Sequence, residues 1–142
     1  MIESSKDLDI ITKLQRLAFR IERHADQILL EKLGIGFSQF KIIHELDRNP
    51  KAKQNQIAKA LGQTEASISR QVKIMREDRL LITSINSSNK REHVTTLTPK
   101  GARIKEAATE SLDKLYKSIV QELALKDIER AEKIIDIISL KA

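Results

Sequence analysis

Along most of this chain apolar residues recur at three- and four-residue steps, and that period is interrupted once, between Leu80 and Leu97. A step near 3.6 residues keeps side chains on one face of a helix, whereas β-rich runs bounded by turn residues belong to strands. The chain is therefore expected to fold as helices, one short β excursion, and helices again. From Asp7 to about Leu33, apolar positions such as Ile11, Leu14, Leu17, Ile21, Ala25 and Ile28 draw one long amphipathic helix that Gly34 and Gly36 end. Ser38 is placed to cap a second helix carrying Phe40, Ile43 and Leu46, closed by Pro50. Gln54 to Leu61 reads as a helix of about two turns stopped by Gly62. Thr64 then caps a fourth helix with Ile68, Val72 and Met75 on one face and Ser67, Arg70, Lys73 and Glu77 away from it.

The β excursion consists of Leu80 to Ile85 and His93 to Leu97 around the polar stretch Asn86 to Glu92, a hairpin with a basic tip. Pro99 opens a helix followed by Ile104, Ala108, Leu112, Leu115, Ile119 and Leu123 to about Leu125, and Asp127 is placed to cap a last helix. No repeat, low-complexity stretch or linker divides the chain, so residues 1–142 read as a single, mainly α domain with a small β-hairpin.

Charge narrows the partner. The net charge is +6, and the span Arg48 to Lys105 holds 13 Lys and Arg against 4 Asp and Glu, whereas the flanks hold 13 against 16. Concentrated positive charge favours a polyanion. With three Phe, one Tyr and no Trp the chain lacks the stacking platforms that single strands and splayed RNA bases require, which makes duplex DNA the better polyanion. Absent Cys excludes disulfides, thiolate metal ligands and thiol chemistry. His24, His44 and His93 lie on three separate elements, and no phosphate loop, nucleophile elbow or His-Glu-x-x-His pattern occurs. The expectation is a protein that is not an enzyme and carries no metal or cofactor. No signal-like segment or 18-residue apolar run is present, so a cytoplasmic location without membrane contact is expected.

Residues 54–79 form the constellation that carries function: a short helix, a tight turn at Gly62-Gln63-Thr64 and a helix with an exposed basic face, the helix-turn-helix layout. Thr64, Ala66, Ser67 and Ser69 keep the start of the second helix slim enough to enter a major groove roughly 12 Å wide. Arg70 follows, and its two-pronged guanidinium suits either guanine O6 and N7 or a phosphate. Lys73 lies one turn further on. The hairpin tip adds Lys90 and Arg91, and an Arg on a β-ribbon suits a narrow, A·T-rich minor groove.

Gln56-Ile-Ala-Lys-Ala-Leu-Gly62, Ser67-Ile-Ser-Arg70, Leu80-Leu-Ile, Asn89-Lys-Arg91 and Leu97-Thr-Pro-Lys-Gly101 together resemble the multiple-antibiotic-resistance regulator (MarR) family, and the similarity runs over nearly the whole chain. The resemblance implies a winged helix-turn-helix lobe at residues 36–101 and dimerisation helices at 1–35 and 102–142. It implies a homodimer that places each recognition helix in a major groove and each wing in a minor groove. By position Arg70 is similar to the family's groove-reading Arg and Arg91 to its wing-tip Arg. Three departures stand out: Arg79 where the family has Gly, Asn89 where it has Asp, and Lys90 where it has Arg. Arg79 must either sit in an ordinary conformation, altering the junction, or be strained.

The apolar stripes of the flanking helices, Ile128, Ile134, Ile135 and Ile138 among them, exceed what one lobe can cover, which also points to a homodimer. Relatives of this kind take small aromatic or anionic effectors, and Phe19, Arg20, Phe37, Phe40 and His44 are the candidates here for such a pocket. Two functions follow. One is a transcription regulator, a repressor that binds a pseudo-palindromic operator as a homodimer and is relieved by a small ligand. The other is a winged-helix interaction module whose basic face docks an acidic protein. Salt-dependent binding to a defined palindromic duplex separates them.

Overall fold

The computed structural model describes the backbone of residues 2–86 and 89–142 and the side chains of residues 6–85 and 94–142. Six helices and one hairpin follow in the order α1 (Ile2–Leu33), α2 (Phe37–Arg48), α3 (Gln54–Leu61), α4 (Glu65–Glu77), β1 (Leu81–Asn86), β2 (Asn89–Leu97), α5 (Pro99–Val120) and α6 (Leu125–Ser139). The strands pair antiparallel, with Leu81 opposite Leu97 and Thr83 opposite Thr95, and the register slips between Ile85 and Asn86. The fold is mainly α with a hairpin wing, as the change of period requires.

A single apolar core holds the lobe together. Ile42, Ile43 and Leu46 of α2, Ile57 of α3, and Ile68, Val72 and Met75 of α4 are buried with Leu80 and Leu81 at the base of the wing. Ala25 and Leu29 bring α1 into the same cluster, and Ala108, Leu112 and Leu115 bring in α5. Each fully buried aliphatic side chain contributes about 1.5–3 kcal/mol, so these elements form one cooperative unit. α6 is different, because it has no buried residue.

Several ends differ from the sequence expectation. α2 begins two residues earlier than a Ser38 cap allows, with Gly36 at the cap; Asp26 Oδ1 of α1 accepts the Phe37 N–H at 2.9 Å and Gln39 Oε1 the Gly36 N–H at 3.3 Å. A carboxylate eleven residues upstream thus does the work expected of Ser38. Asp127 is not a cap either; α6 starts at Leu125 after Ala124, and Asp127 sits inside the first turn, where a carboxylate suits the positive end of the helix. α5 stops at Val120, and a turn in which the Leu123 N–H donates to the Val120 carbonyl prolongs the four-residue spacing without prolonging the helix.

Candidate nucleic-acid interface and the adjoining pocket

The interface starts at a glycine. α3 ends with Gly62 at φ 65°, its N–H donating to Lys59 O at 3.3 Å while Gln63 N–H donates to Ala58 O at 2.9 Å. Glycine enters this left-handed conformation without a Cβ clash. The chain then turns at once, and Thr64 Oγ1 accepts the Ser67 N–H at 3.1 Å to start α4. Ser67 Oγ donates back to Gln63 Oε1 at 3.3 Å, so its hydroxyl braces the turn.

α4 buries Ile68, Val72 and Met75 and exposes Ala66, Ser69, Arg70 and Lys73, with Thr64 exposed at its cap. The structure therefore brings the helix-borne candidates onto the outer side of one element. A cleft of about 420 Å³ runs beside them, lined by Ala66, Ser69, Arg70, Val72 and Lys73 and also by Gln54 and Arg76. Gln54 and Arg76 were not singled out from the sequence. Arg76 extends the same face by one more turn and was open to recognition from spacing alone. Gln54 reaches the cleft only because α3 packs against α4. The backbones of Lys90 and Arg91 belong to β2, and their side chains lie outside the described residues.

α4 closes with the same turn as α3. Leu80 N–H donates to Met75 O at 2.9 Å and Arg79 N–H to Arg76 O at 3.0 Å, which places Arg79 at φ 61°. Of the two arrangements open to Arg79, the strained one is realised. Thr98, the cap of α5, sits against this junction, and a Cβ on Gly101 would collide with the Leu80 carbonyl oxygen. That close approach is why a glycine follows Leu97-Thr98-Pro99-Lys100.

A pocket of about 410 Å³ lies between α2 and α5. Phe37, Phe40 and His44 line it together, with Phe37 and Phe40 stacked at 6.2 Å and Phe40 and His44 at 5.9 Å. Lys41 Nζ lies 5.5 Å from the Phe37 ring centre, and Lys105, held by Asp47 at 2.9 Å, forms part of the α5 wall. Tyr116 completes that wall; burial, and then the negative charge of Glu22, push its hydroxyl above the usual tyrosine range. Phe19 is not part of this pocket. It is 63% exposed and lines a second cleft with Glu22, Arg23 and Asp26, the stripe of α1 that faces the start of α2. Arg20, one residue round the helix from that stripe, lines neither cleft. The five candidates are thus divided: three share a cavity, one borders its neighbour and one faces solvent.

Among the described residues, no three His, Asp or Glu side chains come together as metal ligands. No described helix is long and apolar enough to cross a membrane.

The sequence model of the MarR family matches residues 33–92, the helix-turn-helix and most of the wing. No curated protein matches the chain. Among solved structures, the chain is similar to a MarR/EmrR family transcriptional regulator from Acinetobacter sp. ADP1, with 22% identity, TM-score 0.83 and 95% of both chains covered. It is similar to MepR of S. aureus in a complex with DNA, with 23% identity, TM-score 0.76 and 91% of this chain and 94% of that one covered. It is also similar to CouR from Rhodococcus jostii RHA1 bound to p-coumaroyl-CoA, with 16% identity, TM-score 0.79 and 94% of each covered.

Proposed function

We propose that this chain, whose residues 33–92 match the MarR family model and whose fold is similar to that of MarR-family regulators, is a transcription regulator that reads double-stranded DNA as a homodimer. The observation that carries this reading is the outer face of α4, where slim residues at the first turn give way to Arg70, Lys73 and Arg76 beside one cleft. Thr64, Ala66, Ser67 and Ser69 let the helix end approach base edges, Arg70 reads a base, and Lys73 holds the backbone. Lys90 and Arg91 of the wing take the minor groove. Residues 36–101 serve as the reading lobe, and residues 1–35 and 102–142 serve dimerisation. The chain acts in the cytoplasm as a repressor, without catalysis.

Supporting dimerisation, Ile134 and Ile135 of α6 are 51% and 50% exposed in the single chain, an apolar surface that a second copy would cover. Two-fold symmetry then calls for a pseudo-palindromic operator. Selection of bound duplexes from a random-sequence pool tests the whole reading: two inverted half-sites about one helical turn apart are expected, with affinity falling steeply as salt rises. Enrichment of no sequence, together with salt-sensitive capture of acidic polypeptide, would replace it with the protein-docking module.

Relief by a small molecule is proposed for the Phe37–Phe40–His44 pocket. Stacked rings suit a small aromatic molecule, and of the charged lining residues Lys41, Glu45, Lys105 and Asp113 it is Lys41, beside the Phe37 ring, that offers an ammonium to its carboxylate; the relative CouR is itself bound to p-coumaroyl-CoA. Tyr116 is the chain's single tyrosine and there is no Trp, so its emission reports this wall alone. An aromatic carboxylate that fills the pocket is expected to change that emission and lower duplex affinity in parallel; change in neither sinks the effector reading.

A further inference from the structure

The junction between the recognition helix and the wing is strained and latched at the same time. Glycine occupies the left-handed position in the turn that ends α3, but the equivalent position after α4 is Arg79, at φ 61°. A side chain there meets steric resistance that glycine does not, so something must hold the conformation. Beyond the two hydrogen bonds that close α4, the first turn of α5 holds this junction. Thr98 Oγ1 donates to the Arg79 carbonyl oxygen at 2.6 Å, with the Leu80 carbonyl oxygen at 3.2 Å. Thr98 N–H donates to Leu80 O at 3.1 Å, and Lys100 Nζ to Asp78 O at 3.1 Å. Three successive carbonyls just past the end of α4, those of Asp78, Arg79 and Leu80, are thus taken by residues 98–100. The same Thr98 oxygen accepts the Gly101 N–H at 3.0 Å, tying the junction to α5, whose later turns wall the pocket.

We propose that Thr98 is a positioning residue for the reading head: its hydroxyl, by holding the Arg79 carbonyl, keeps Arg79 left-handed and so sets the angle between α4 and the wing. Where that bond is lost, Arg79 relaxes toward ordinary φ, the last turn of α4 opens, and the wing strand that starts at Leu81 changes its tilt. Recognition helix and wing then no longer fit adjacent grooves together. The latch itself needs no DNA; only its effect on binding rests on the proposed function.

Three substitutions in the full chain separate the latch from the helix cap that Thr98 also supplies. Thr98→Ser keeps both. Thr98→Asp keeps an acceptor for Gly101 N–H but has no proton to give to Arg79. Arg79→Gly removes the need for a latch. Amide exchange at Arg79 and Leu80 in the DNA-free protein, set against exchange in the core of α2, is the first readout; duplex affinity is the second. Thr98→Asp is expected to speed exchange at Arg79 and Leu80 on the order of tenfold, the scale of one hydrogen bond, with the α2 core unchanged, and to weaken duplex binding by a similar factor. Thr98→Ser is expected to match the wild type, and Arg79→Gly in the Thr98→Asp background to restore binding. Exchange that stays at the wild-type rate in Thr98→Asp, or that rises equally across the α2 core, overturns the proposal. So does binding that Arg79→Gly fails to restore. If the wild type binds no duplex, the functional reading fails and the exchange measurement alone decides the latch.

Discussion

Arg79 adopts the conformation that the turn after α3 assigns to a glycine, which makes its energetics directly testable. Left-handed backbone costs a side chain about 1–2 kcal/mol, and the extra freedom glycine loses on folding returns about 0.5–1 kcal/mol of that. Arg79→Gly is therefore expected to stabilise the chain by about 0.5–1 kcal/mol, seen as a higher urea midpoint with unchanged slope. Tyr116 offers a second test at this scale. Burial and Glu22 raise its pKa above 10.0 in the folded chain, so the folded state keeps the proton after the unfolded state has released it. Stability is then flat below about pH 10 and falls as pH rises beyond it. Because no other tyrosine is present, the tyrosinate absorbance of the native protein should titrate above that of the urea-unfolded chain, and Tyr116→Phe should lessen the alkaline loss. Coincident titrations would show that the partial burial of Tyr116, at 40% exposure, leaves the hydroxyl unshifted.

At the scale of elements, α4 is a helix whose inner face folds the lobe and whose outer face is exposed. Arg70→Ala is expected to cost about 1–3 kcal/mol on the cognate site and to relax preference at one position per half-site if Arg70 pairs with guanine, with non-specific binding little changed. A phosphate contact gives a different signature: specific and non-specific binding fall together and the salt slope drops by about one unit per half-site. Measuring both duplexes at two salt concentrations decides. The entry to α2 depends on Asp26, and Asp26→Ala, which removes the acceptor for Phe37 N–H, should lower stability by about 1 kcal/mol, as for a lost cap. Ser38→Ala, by contrast, should be near neutral by the same denaturation measurement, because Ser38 is not the cap.

For the molecule as a whole, α6 poses the main question, since a helix with no buried residue draws little stability from its own chain. Most helical stability in proteins comes from packing an apolar face. A groove of about 330 Å³ between Leu14, Leu17, Ala18 and Ile21 of α1 and Ile135 and Ile138 of α6 marks the face that a second copy would fill. Light scattering at micromolar concentration should give about twice 16.2 kDa, and Ile135→Glu should raise the dimer dissociation constant at least tenfold, the effect of one charge in an apolar interface. A well-folded wild-type monomer would remove both the dimer and the case for an inverted-repeat site.

What the sequence determined by itself is the set of features fixed by residues a few positions apart. The order of helices and hairpin follows from apolar period, the turn at Gly62 from local sterics, and the cap at Thr64 from a hydroxyl three residues before the amide it accepts. Exposure of Arg70 follows from the burial of Ile68 and Val72 on the opposite face. Tertiary structure decided whatever joins distant residues. Asp26 caps a helix eleven residues away, and Thr98 holds Arg79 across nineteen. Gln54 enters the α4 cleft by the packing of α3, and Phe37, Phe40 and His44 meet Lys105 and Tyr116 only because α5 returns against α2. Spacing along the chain encodes which face a side chain occupies, but not what the folded chain brings to that face.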